Sequence, residues 1–284
     1  MAALVFGFVI LLQAFEPSLA STPSREGGTP DRAERGQPLL PSFPEVEFGV
    51  FGSIPLKATI SPYAAKWTDL KERVERERET YAACERGDGA CTPRVKAWQD
   101  SLASLRGRPQ LEQIGMLNRR INSLIAYRDD QQAFGRKDHW ATPLESLNGS
   151  GDCEDYAILK FYSLLQLGFS DGQIRLAIVR DTRRRLLHAV TTVEIDGRVY
   201  VMDNLFDDPV EHHHVLKYAP SFTGNLADQW VHIVTREIRA RFVDQVERRL
   251  AGKHGDRQQA AGRGQQPPAQ EYAVDPLALR AAWT

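Results

Sequence analysis

A tight turn between two strand patterns constrains the fold of this chain most strongly. The pair Asp196-Gly197 separates the runs 186–195 and 198–202, which are rich in apolar and β-branched residues. An Asp-Gly pair between two such runs favours a two-residue β-hairpin. The sequence therefore predicts an antiparallel hairpin here, and the run 174–179 predicts a further strand just before it.

The same turn fixes which residues of the hairpin lie opposite one another. With a two-residue loop, counting back from the turn places Val190 opposite Asp203. Because side chains alternate along a strand, His188 lies on the same face as Val190. His188 and Asp203 are then diagonal neighbours with Cβ atoms roughly 7 Å apart, within reach of a hydrogen bond. Taken singly, such a histidine is more often a packed core residue, and such an aspartate more often a turn former.

A cysteine at the start of an apolar helix supplies the third member of a candidate triad. The run from Cys153 to Leu167 predicts a broad, buried helix that ends at Gly168, the usual glycine position after a helix. Exposed N–H groups and the helix dipole at its start favour a thiolate. If this end packs against the hairpin, His188 can take the thiol proton and Asp203 can orient the imidazole. A lone cysteine at a helix start is nevertheless usually structural.

Three carboxylates surround this cysteine. Asp152, Glu154 and Asp155 would raise the pKa of the Cys153 thiol if nothing offset their charge. Either they cap the helix and face solvent, or a cation neutralises them. Calcium accepts hard oxygen ligands of this kind, although helix capping is the simpler alternative from spacing alone.

The amino terminus predicts export. Residues 2–15 are nearly free of polar groups, and Ser18-Leu19-Ala20 suits a signal peptidase. The apolar run is too short to span a bilayer comfortably, and no Lys or Arg precedes it. We expect a signal peptide over residues 1–20 and a disordered leader over 21–44; a misassigned start codon and an uncleaved anchor are the alternatives.

The first half of the chain predicts helices and one cross-link. Helical patterns cover 61–83, 93–105 and 111–127, and residues 128–150 predict a loop. Cys84 lies at the end of the first helix and Cys91 just before the second. In an oxidising compartment the two would form a disulfide, worth on the order of 2–3 kcal/mol for so short a loop; in a reducing cell they would be free thiols. Trp140, within the loop, either lines a cleft or packs beneath the loop.

Several runs carry no clear chemistry. His212-His213-His214 predicts a solvated loop, with transition-metal binding as the alternative. Arg183-Arg184-Arg185 predicts an exposed hairpin tip, with contact to an acidic partner as the alternative. Residues 237–252 predict a charged helix, and residues 251–284 a low-complexity, disordered tail.

Composition narrows the function classes only a little. The chain has 284 residues, of which 42% are hydrophobic and 26% charged, as in ordinary globular proteins. Its net charge of -1 supplies no field that would draw it to nucleic acid or to an acidic membrane. We therefore expect no nucleic-acid partner.

Four groups of residues, taken in order, resemble a known family. They are Trp140-Ala141-Thr142-Pro143, then Gly151-Asp152-Cys153-Glu154-Asp155-Tyr156-Ala157-Ile158 with Lys160, then His188-Ala189-Val190, then Met202-Asp203-Asn204. The pattern is similar to the bacterial transglutaminase-like cysteine proteinases, the LapG-type periplasmic proteases that release adhesins. The likeness runs from about Phe48, through Trp67 and Asn122, to roughly Trp230. The long run around Cys153 is specific; the shorter ones count through their order and spacing.

The resemblance implies a fold and a site. The fold would be α+β with a papain-like, transglutaminase-type core, in which the helix bearing the cysteine packs on an antiparallel sheet bearing the histidine and aspartate. One domain would span 45–250, with a helical lobe at about 61–128 and a catalytic core at about 140–235. The family's triad maps onto Cys153, His188 and Asp203. Its calcium ligands map onto Asp152 and Glu154, with Asp155 a less certain third.

The resemblance also implies a biological role. It implies a cysteine endopeptidase of the periplasm that cuts the N-terminal region of a large surface adhesin at a paired-alanine site. It implies a partner, an inner-membrane cyclic-di-GMP receptor whose periplasmic domain sequesters the protease and so controls biofilm attachment. Two alternatives keep the same residues: a transglutaminase or amidase that uses the triad, and a non-catalytic binding module.

Overall fold

A computed structural model describes residues 49–87 and 91–261, with side chains described to residue 251. The predicted signal peptide, the predicted leader and residues 262–284 of the predicted tail lie outside the described residues. No helix in the described part combines the length and the apolar composition needed to cross a bilayer.

Helices form the first half of the described chain and its carboxyl end. The helices, in chain order, are α1 (Ala64–Arg76), α2 (Arg78–Arg86), α3 (Pro93–Leu105), α4 (Gln110–Leu124), α5 (Asp130–Phe134), α6 (Pro143–Asn148), α7 (Cys153–Gln166) and α8 (Arg236–Ala261). Helix α3 begins and ends where the sequence predicts, because Thr92 caps it and Pro93 occupies its first turn.

Seven strands form one antiparallel sheet in the order β1-β9-β8-β4-β5-β6-β7. They are β1 (Ile54–Lys57), β4 (Ile174–Asp181), β5 (Leu186–Ile195), β6 (Arg198–Met202), β7 (Val210–Glu211), β8 (Tyr218–Gly224) and β9 (Gln229–Ile233). Two short strands, β2 (Ala126–Tyr127) and β3 (Ser150–Gly151), pair in parallel beside the sheet.

The β5–β6 hairpin has the predicted register. Asp196 and Gly197 both have positive φ, at 51° and 69°, as a two-residue turn of this kind requires. Ile195 pairs with Arg198, and Thr191 pairs with Met202. Local turn chemistry therefore sets the alignment of the two strands.

Helix α7 lies across one face of this sheet. Thr191 on β5 donates its hydroxyl to the carbonyl of Ala157 on α7, at 2.6 Å. On the other side α7 contacts α4 and α6, and its apolar residues belong to the main buried cluster. The Cys-bearing helix thus packs on an antiparallel sheet, which confirms the predicted α+β fold.

The first predicted helix is broken and starts late. The hydroxyl of Ser61, where the pattern starts, contacts Gln229 at 3.3 Å, and the helix begins only at Ala64. At Glu77 the chain leaves the helix and α2 begins anew. The Glu77 carboxylate accepts the hydroxyls of Thr142 and Tyr81 at 2.6 and 2.9 Å. The break between the two helices therefore coincides with a contact to Thr142, which is distant in sequence. The expectation of one helix over 61–83 was wrong.

The predicted loop 128–150 is more ordered than expected. It contains α5, which Asp129 caps, and α6. Helix α6 starts with a full capping box between Thr142 and Glu145, and Pro143 occupies its first turn. The pattern Thr-Pro-x-Glu is visible in the sequence and predicts this helix, so the expectation of a plain loop was wrong.

The carboxyl-terminal helix is longer than expected. It begins at Arg236, as the charged pattern predicts, but continues through Gly252 to Ala261. Glutamine and alanine make up residues 258–261 and are good helix formers, and the two glycines at 252 and 255 cost the helix only about 1 kcal/mol each. Residues 252–261 are therefore helical rather than part of a disordered tail.

Residues 49–53 form an N-terminal arm that leads into β1, and residues 50–52 of this arm make a short 3-10 turn. Phe51 is fully buried; its N–H donates to His212 Nδ1 at 2.8 Å, and its ring meets that of Tyr218 edge-on, with centroids 5.7 Å apart. Gly52 has a φ of 67°, and a Cβ there would collide with a side chain of α8. The arm is thus locked between the sheet and the last helix.

The three consecutive histidines pack against this arm. His212–His214 form a 3-10 turn, and His213 is only 9% exposed. Burial lowers the pKa of His212 to about 4, so the ring is neutral and can accept the N–H of Phe51. Within the described residues the run joins no cluster of metal-ligating side chains. His214 is exposed, whereas His213 is buried and His212 lies against the arm, so the expectation of a solvated loop was wrong for those two histidines.

A disulfide joins α2 to the start of α3. Cys84 and Cys91 are bonded, with Cα atoms 5.6 Å apart. We expect the double substitution Cys84→Ser/Cys91→Ser to lower the free energy of unfolding by about 2.5 kcal/mol, the chain-entropy value for so short a loop. Urea denaturation of oxidised, reduced and double-serine protein would measure it. A double-serine protein as stable as the oxidised one would contradict this prediction.

Candidate active site

Three elements meet at the candidate site. Cys153 is the first residue of α7, and its thiol lies against the backbone of Ala189 on β5. His188 is the preceding residue of that strand, and Asp203 follows the last residue of β6. The structure therefore brings the three predicted triad residues to one place, where the head of α7 packs on the β5–β6 hairpin.

His188 and Asp203 form a buried pair. His188 Nε2 and Asp203 Oδ1 are 2.8 Å apart, and both residues are 3% exposed or less. Tyr218 donates its hydroxyl to the other oxygen, Oδ2, at 2.5 Å. Burial raises the pKa of Asp203, but the hydrogen bonds from His188 and Tyr218 outweigh it, so this pKa lies below its usual value. Since Nε2 is engaged, Nδ1 is the ring nitrogen left for a thiol.

Two asparagines of α4 hold the segment that carries Asp203. Asn122 donates to the carbonyls of Asp203 and Phe206 at 3.0 and 3.1 Å. Asn118, one turn earlier, donates to the carbonyls of Phe206 and Asp207 at 2.8 and 2.7 Å. Sequence reasoning gave neither residue a role. The available signal is a pair of polar residues four apart on the apolar face of a helix.

Ionisation of the Cys153 thiol is strongly disfavoured. Cys153 Sγ donates to Glu154 Oε2 at 3.2 Å. Burial is the main factor that raises the pKa of this thiol, and the charges of Glu154 and Asp152 raise it further. A backbone hydrogen bond from Ala189 acts in the opposite direction but does not compensate. In this state the sulfur is a protonated thiol at neutral pH.

The carboxylates beside Cys153 belong to a larger acidic cluster. Oxygens of Asp130, Asp138 and Glu154 lie within 4.8 Å of one another, as do those of Asp130, Asp152 and Asp155. Burial, and then Glu154, raises the pKa of Asp152 to about 8. Sequence reasoning missed Asp130 and Asp138, which come close only because the 128–150 segment folds back onto the head of α7.

Two oxygens in this cluster have no hydrogen-bond partner. Oδ1 of Asp152 and Oδ1 of Asp130 are buried and unsatisfied within the described residues. Buried carboxylate oxygens are costly unless a donor or a cation meets them. The oxygen-only donor set and its unsatisfied atoms fit a hard divalent cation such as calcium.

Asp155 and Trp140 have packing roles. Asp155 Oδ1 accepts the N–H of Ala141 at 2.8 Å, and Oδ2 accepts the N–H of Asp152 at 3.1 Å. Trp140 is 5% exposed and packs against Trp67, with ring centroids 6.3 Å apart. Of the two alternatives for Trp140, the structure shows packing beneath the segment rather than a cleft wall.

A buried lysine lies behind the site. Lys160, two turns after Cys153 on α7, has no exposed surface, and its Nζ has no hydrogen-bond partner within the described residues. Burial lowers its pKa to about 7, and the charge of Asp203 partly opposes this. Its Nζ lies over the ring of Tyr156, 5.9 Å from the centroid.

Comparison with known proteins agrees with this arrangement. The family model described as "Bacterial transglutaminase-like cysteine proteinase BTLCP" matches residues 73–237, more than half of the chain. The matched region contains all three candidate triad residues and the acidic cluster. It agrees with the transglutaminase-type core that the sequence predicts.

Among solved structures, the chain is similar to LapG of Legionella pneumophila. The calcium-bound form is 24% identical, with a TM-score of 0.47, over 54% of this chain and 86% of that one. Another structure of that protein is 22% identical, with a TM-score of 0.47, over 56% and 87%. The EGTA-treated form gives 22%, 0.47, 56% and 84%. A search of curated proteins gave no match.

The Tyr218–Asp203 bond generates a pH-dependent prediction. We expect Tyr218→Phe to lower the free energy of unfolding by about 1–3 kcal/mol at neutral pH, because a buried carboxylate loses a donor. The Asp203 pKa is depressed in the folded state, so this difference is present above the unfolded value of 3.8 and shrinks as pH falls through the folded value. Urea denaturation between neutral and acid pH measures it.

Tyr156→Phe is the matched control for that experiment. The Tyr156 hydroxyl is also buried, but it donates to the neutral carbonyl of Ile125 at 2.6 Å. Its loss should therefore cost stability by an amount that does not change over the same acid range. Equal pH dependence of the two variants would contradict the assigned role of Tyr218.

Lys160 generates a prediction on the alkaline side. Its folded pKa of about 7 lies below the unfolded value of 10.5, so between these values the unfolded chain binds a proton that the folded chain lacks. Stability of the wild type should therefore rise with pH in this window, by about 1.4 kcal/mol per unit relative to Lys160→Met. Lys96→Met, at an exposed site on α3, is the control. Parallel stability curves for wild type and Lys160→Met would contradict a neutral buried lysine.

Proposed function

Because this chain belongs to the bacterial transglutaminase-like cysteine proteinase family, we propose that it is a calcium-dependent cysteine endopeptidase. The observation that carries the proposal is the buried His188–Asp203 pair beside Cys153 at the head of α7. A nucleophile, a base and a group that orients the base are thereby held on two packed elements.

In the proposed reaction Cys153 attacks the carbonyl carbon of a peptide bond. His188 Nδ1 accepts the thiol proton and later delivers it to the leaving amine, which gives an acyl-enzyme that water hydrolyses. Asp203, fixed through both oxygens, holds the imidazole in the tautomer that presents Nδ1 to the sulfur. The Cys153 backbone N–H, at the first turn of α7, would stabilise the oxyanion.

Calcium would be held by Asp152 and Glu154, together with Asp130. The unsatisfied oxygens of Asp152 and Asp130 and the all-oxygen donor set support this assignment. When bound, the cation supplies positive charge that offsets the carboxylates and lowers the pKa of the neighbouring thiol. Asp155 contributes by closing the helix start, since both of its oxygens already accept backbone N–H groups.

The substrate, the location and the partner are proposed from the family resemblance. We propose that the enzyme works in the periplasm and cuts the N-terminal region of a large surface adhesin at a paired-alanine site. We also propose that the periplasmic domain of an inner-membrane cyclic-di-GMP receptor sequesters it. The apolar segment at residues 2–15 and the bonded Cys84–Cys91 pair support export to an oxidising compartment.

The first test is alkylation of Cys153 by iodoacetamide, followed by mass spectrometry, with calcium or with a calcium chelator. We expect alkylation to be at least about tenfold faster with calcium, since each unit by which the thiol pKa falls gives tenfold more thiolate. Asp152→Asn/Glu154→Gln should be alkylated faster than the chelated wild type and should not respond to calcium. Asp100→Asn, at an exposed site on α3, is the control. A rate that calcium leaves unchanged in the wild type would refute the calcium assignment.

Proteolysis is tested in parallel with a purified adhesin N-terminal fragment. Cleavage should require calcium and should be abolished by Cys153→Ala. Cleavage that survives the chelator would keep the triad and exclude calcium at the acidic cluster. A reactive thiol with no cleavage would refute this substrate.

A further inference from the structure

The tip of the β4–β5 hairpin carries three consecutive arginines, and the proposed mechanism uses none of them. Arg183, Arg184 and Arg185 are all exposed. Within the described part of the chain none of their guanidiniums pairs with a carboxylate. Exposed arginines elsewhere do find acidic partners, as in these three pairs: Arg78 with Glu75, Arg108 with Glu112, and Arg119 with Asp208.

The backbone of this tip is held rigidly from beneath. Asp181 is fully buried; its Oδ1 accepts the N–H groups of Arg183 and Arg184 at 3.0 and 2.9 Å. Its carbonyl accepts the N–H of Arg185 at 2.7 Å. Lys217 meets the other carboxylate oxygen at 3.2 Å. Asp181 thus holds the backbone of the tip through one oxygen and pairs with Lys217 through the other, and the arginines project from a preordered turn, which lowers the entropic cost of binding.

This tip lies beside the candidate active site. Arg185 precedes His188 on the same strand by three residues, about 10 Å along an extended chain. Tyr127 is 61% exposed, and its hydroxyl lies close enough to both Cys153 and Arg184 for their charges to shift its pKa. A polypeptide placed across Cys153 and His188 therefore passes within a few residues of the tip.

The chemistry of the tip fits a carboxylate. Guanidinium groups bind carboxylates through two parallel hydrogen bonds. A long polyanion such as a nucleic acid would also meet the carboxylates of Asp152 and Glu154, which flank Cys153 in the chain. A peptide with acidic side chains at only a few positions can place that charge at the tip alone.

We propose that the β4–β5 tip is a substrate-recognition surface, which binds acidic side chains about three to five residues from the cleaved bond through Arg183 and Arg184. The inference rests on the proposed endopeptidase activity. It adds a selection rule to that activity: among peptides with the same cleaved pair, the enzyme prefers those with an acidic flank.

The test compares two peptides that share a central Ala-Ala pair and differ only in carrying glutamates or glutamines at these flanking positions. At low salt we expect kcat/KM for the glutamate peptide to be roughly tenfold higher, and the preference to shrink as salt is added. Arg183→Gln/Arg184→Gln should lose the preference and cut the two peptides at similar rates. The control Arg106→Gln/Arg108→Gln removes the same charge at the α3–α4 turn and should keep the preference. Equal rates for both peptides in the wild type, or a preference that survives in Arg183→Gln/Arg184→Gln, would overturn the proposal.

A second readout separates failure of this inference from failure of the proposed activity. Iodoacetate is negatively charged and iodoacetamide is neutral, and both alkylate the Cys153 thiol. The rate with iodoacetate divided by the rate with iodoacetamide therefore reports the electrostatic potential around Cys153. The ratio should fall severalfold in Arg183→Gln/Arg184→Gln and stay unchanged in the control. If neither peptide is cut but the ratio falls, the tip still attracts anions and the cleaved sequence is wrong. An unchanged ratio overturns the tip as a recognition surface.

Discussion

The buried carboxylate of Asp155 holds the head of α7 in place, and the candidate site depends on it. One oxygen accepts the N–H of Ala141 and the other accepts the N–H of Asp152. A single side chain therefore joins the segment before α6 to the residue in front of Cys153. Gly151 suits this arrangement because a Cβ there would collide with the carboxylate. Since a buried polar group without hydrogen-bond partners is costly, these bonds fix where the helix starts.

At that starting point two electrostatic effects oppose each other. The N-terminus of a helix carries about half a positive charge, which favours a thiolate. Burial and the carboxylates of Glu154 and Asp152 favour the thiol, and they prevail because the sulfur is largely buried and Glu154 is in direct contact with it. A cation held by the acidic cluster, as proposed above, would therefore shift this balance toward the thiolate.

Local signals were enough to predict the β5–β6 hairpin but not its surroundings. The Asp196-Gly197 turn and the alternation of side chains gave the register that places His188 against Asp203. The helix over 93–105 was equally predictable from the sequence, because Thr92 and Pro93 mark its start.

Residues that arrive by tertiary packing left no such signal. Asp130 joins the acidic cluster only after the 128–150 segment folds, and Tyr218 reaches Asp203 from a strand that follows a turn and a short helix. The helix break at Glu77 also coincides with a tertiary contact, because the Glu77 carboxylate accepts the hydroxyl of Thr142. Periodicity reports what a segment does alone and is silent on partners that the fold supplies.

The N-terminal arm changes what counts as the smallest working unit of this protein. Phe51 packs edge-on against Tyr218, and Tyr218 holds the carboxylate of Asp203. The family match begins only at residue 73, well after the arm and the strand β1 that covers the edge of β9. An expression fragment trimmed to the matched region would expose a sheet edge and loosen the aromatic support of Asp203. Domain boundaries drawn from family similarity alone would therefore cut through the machinery that they are meant to isolate.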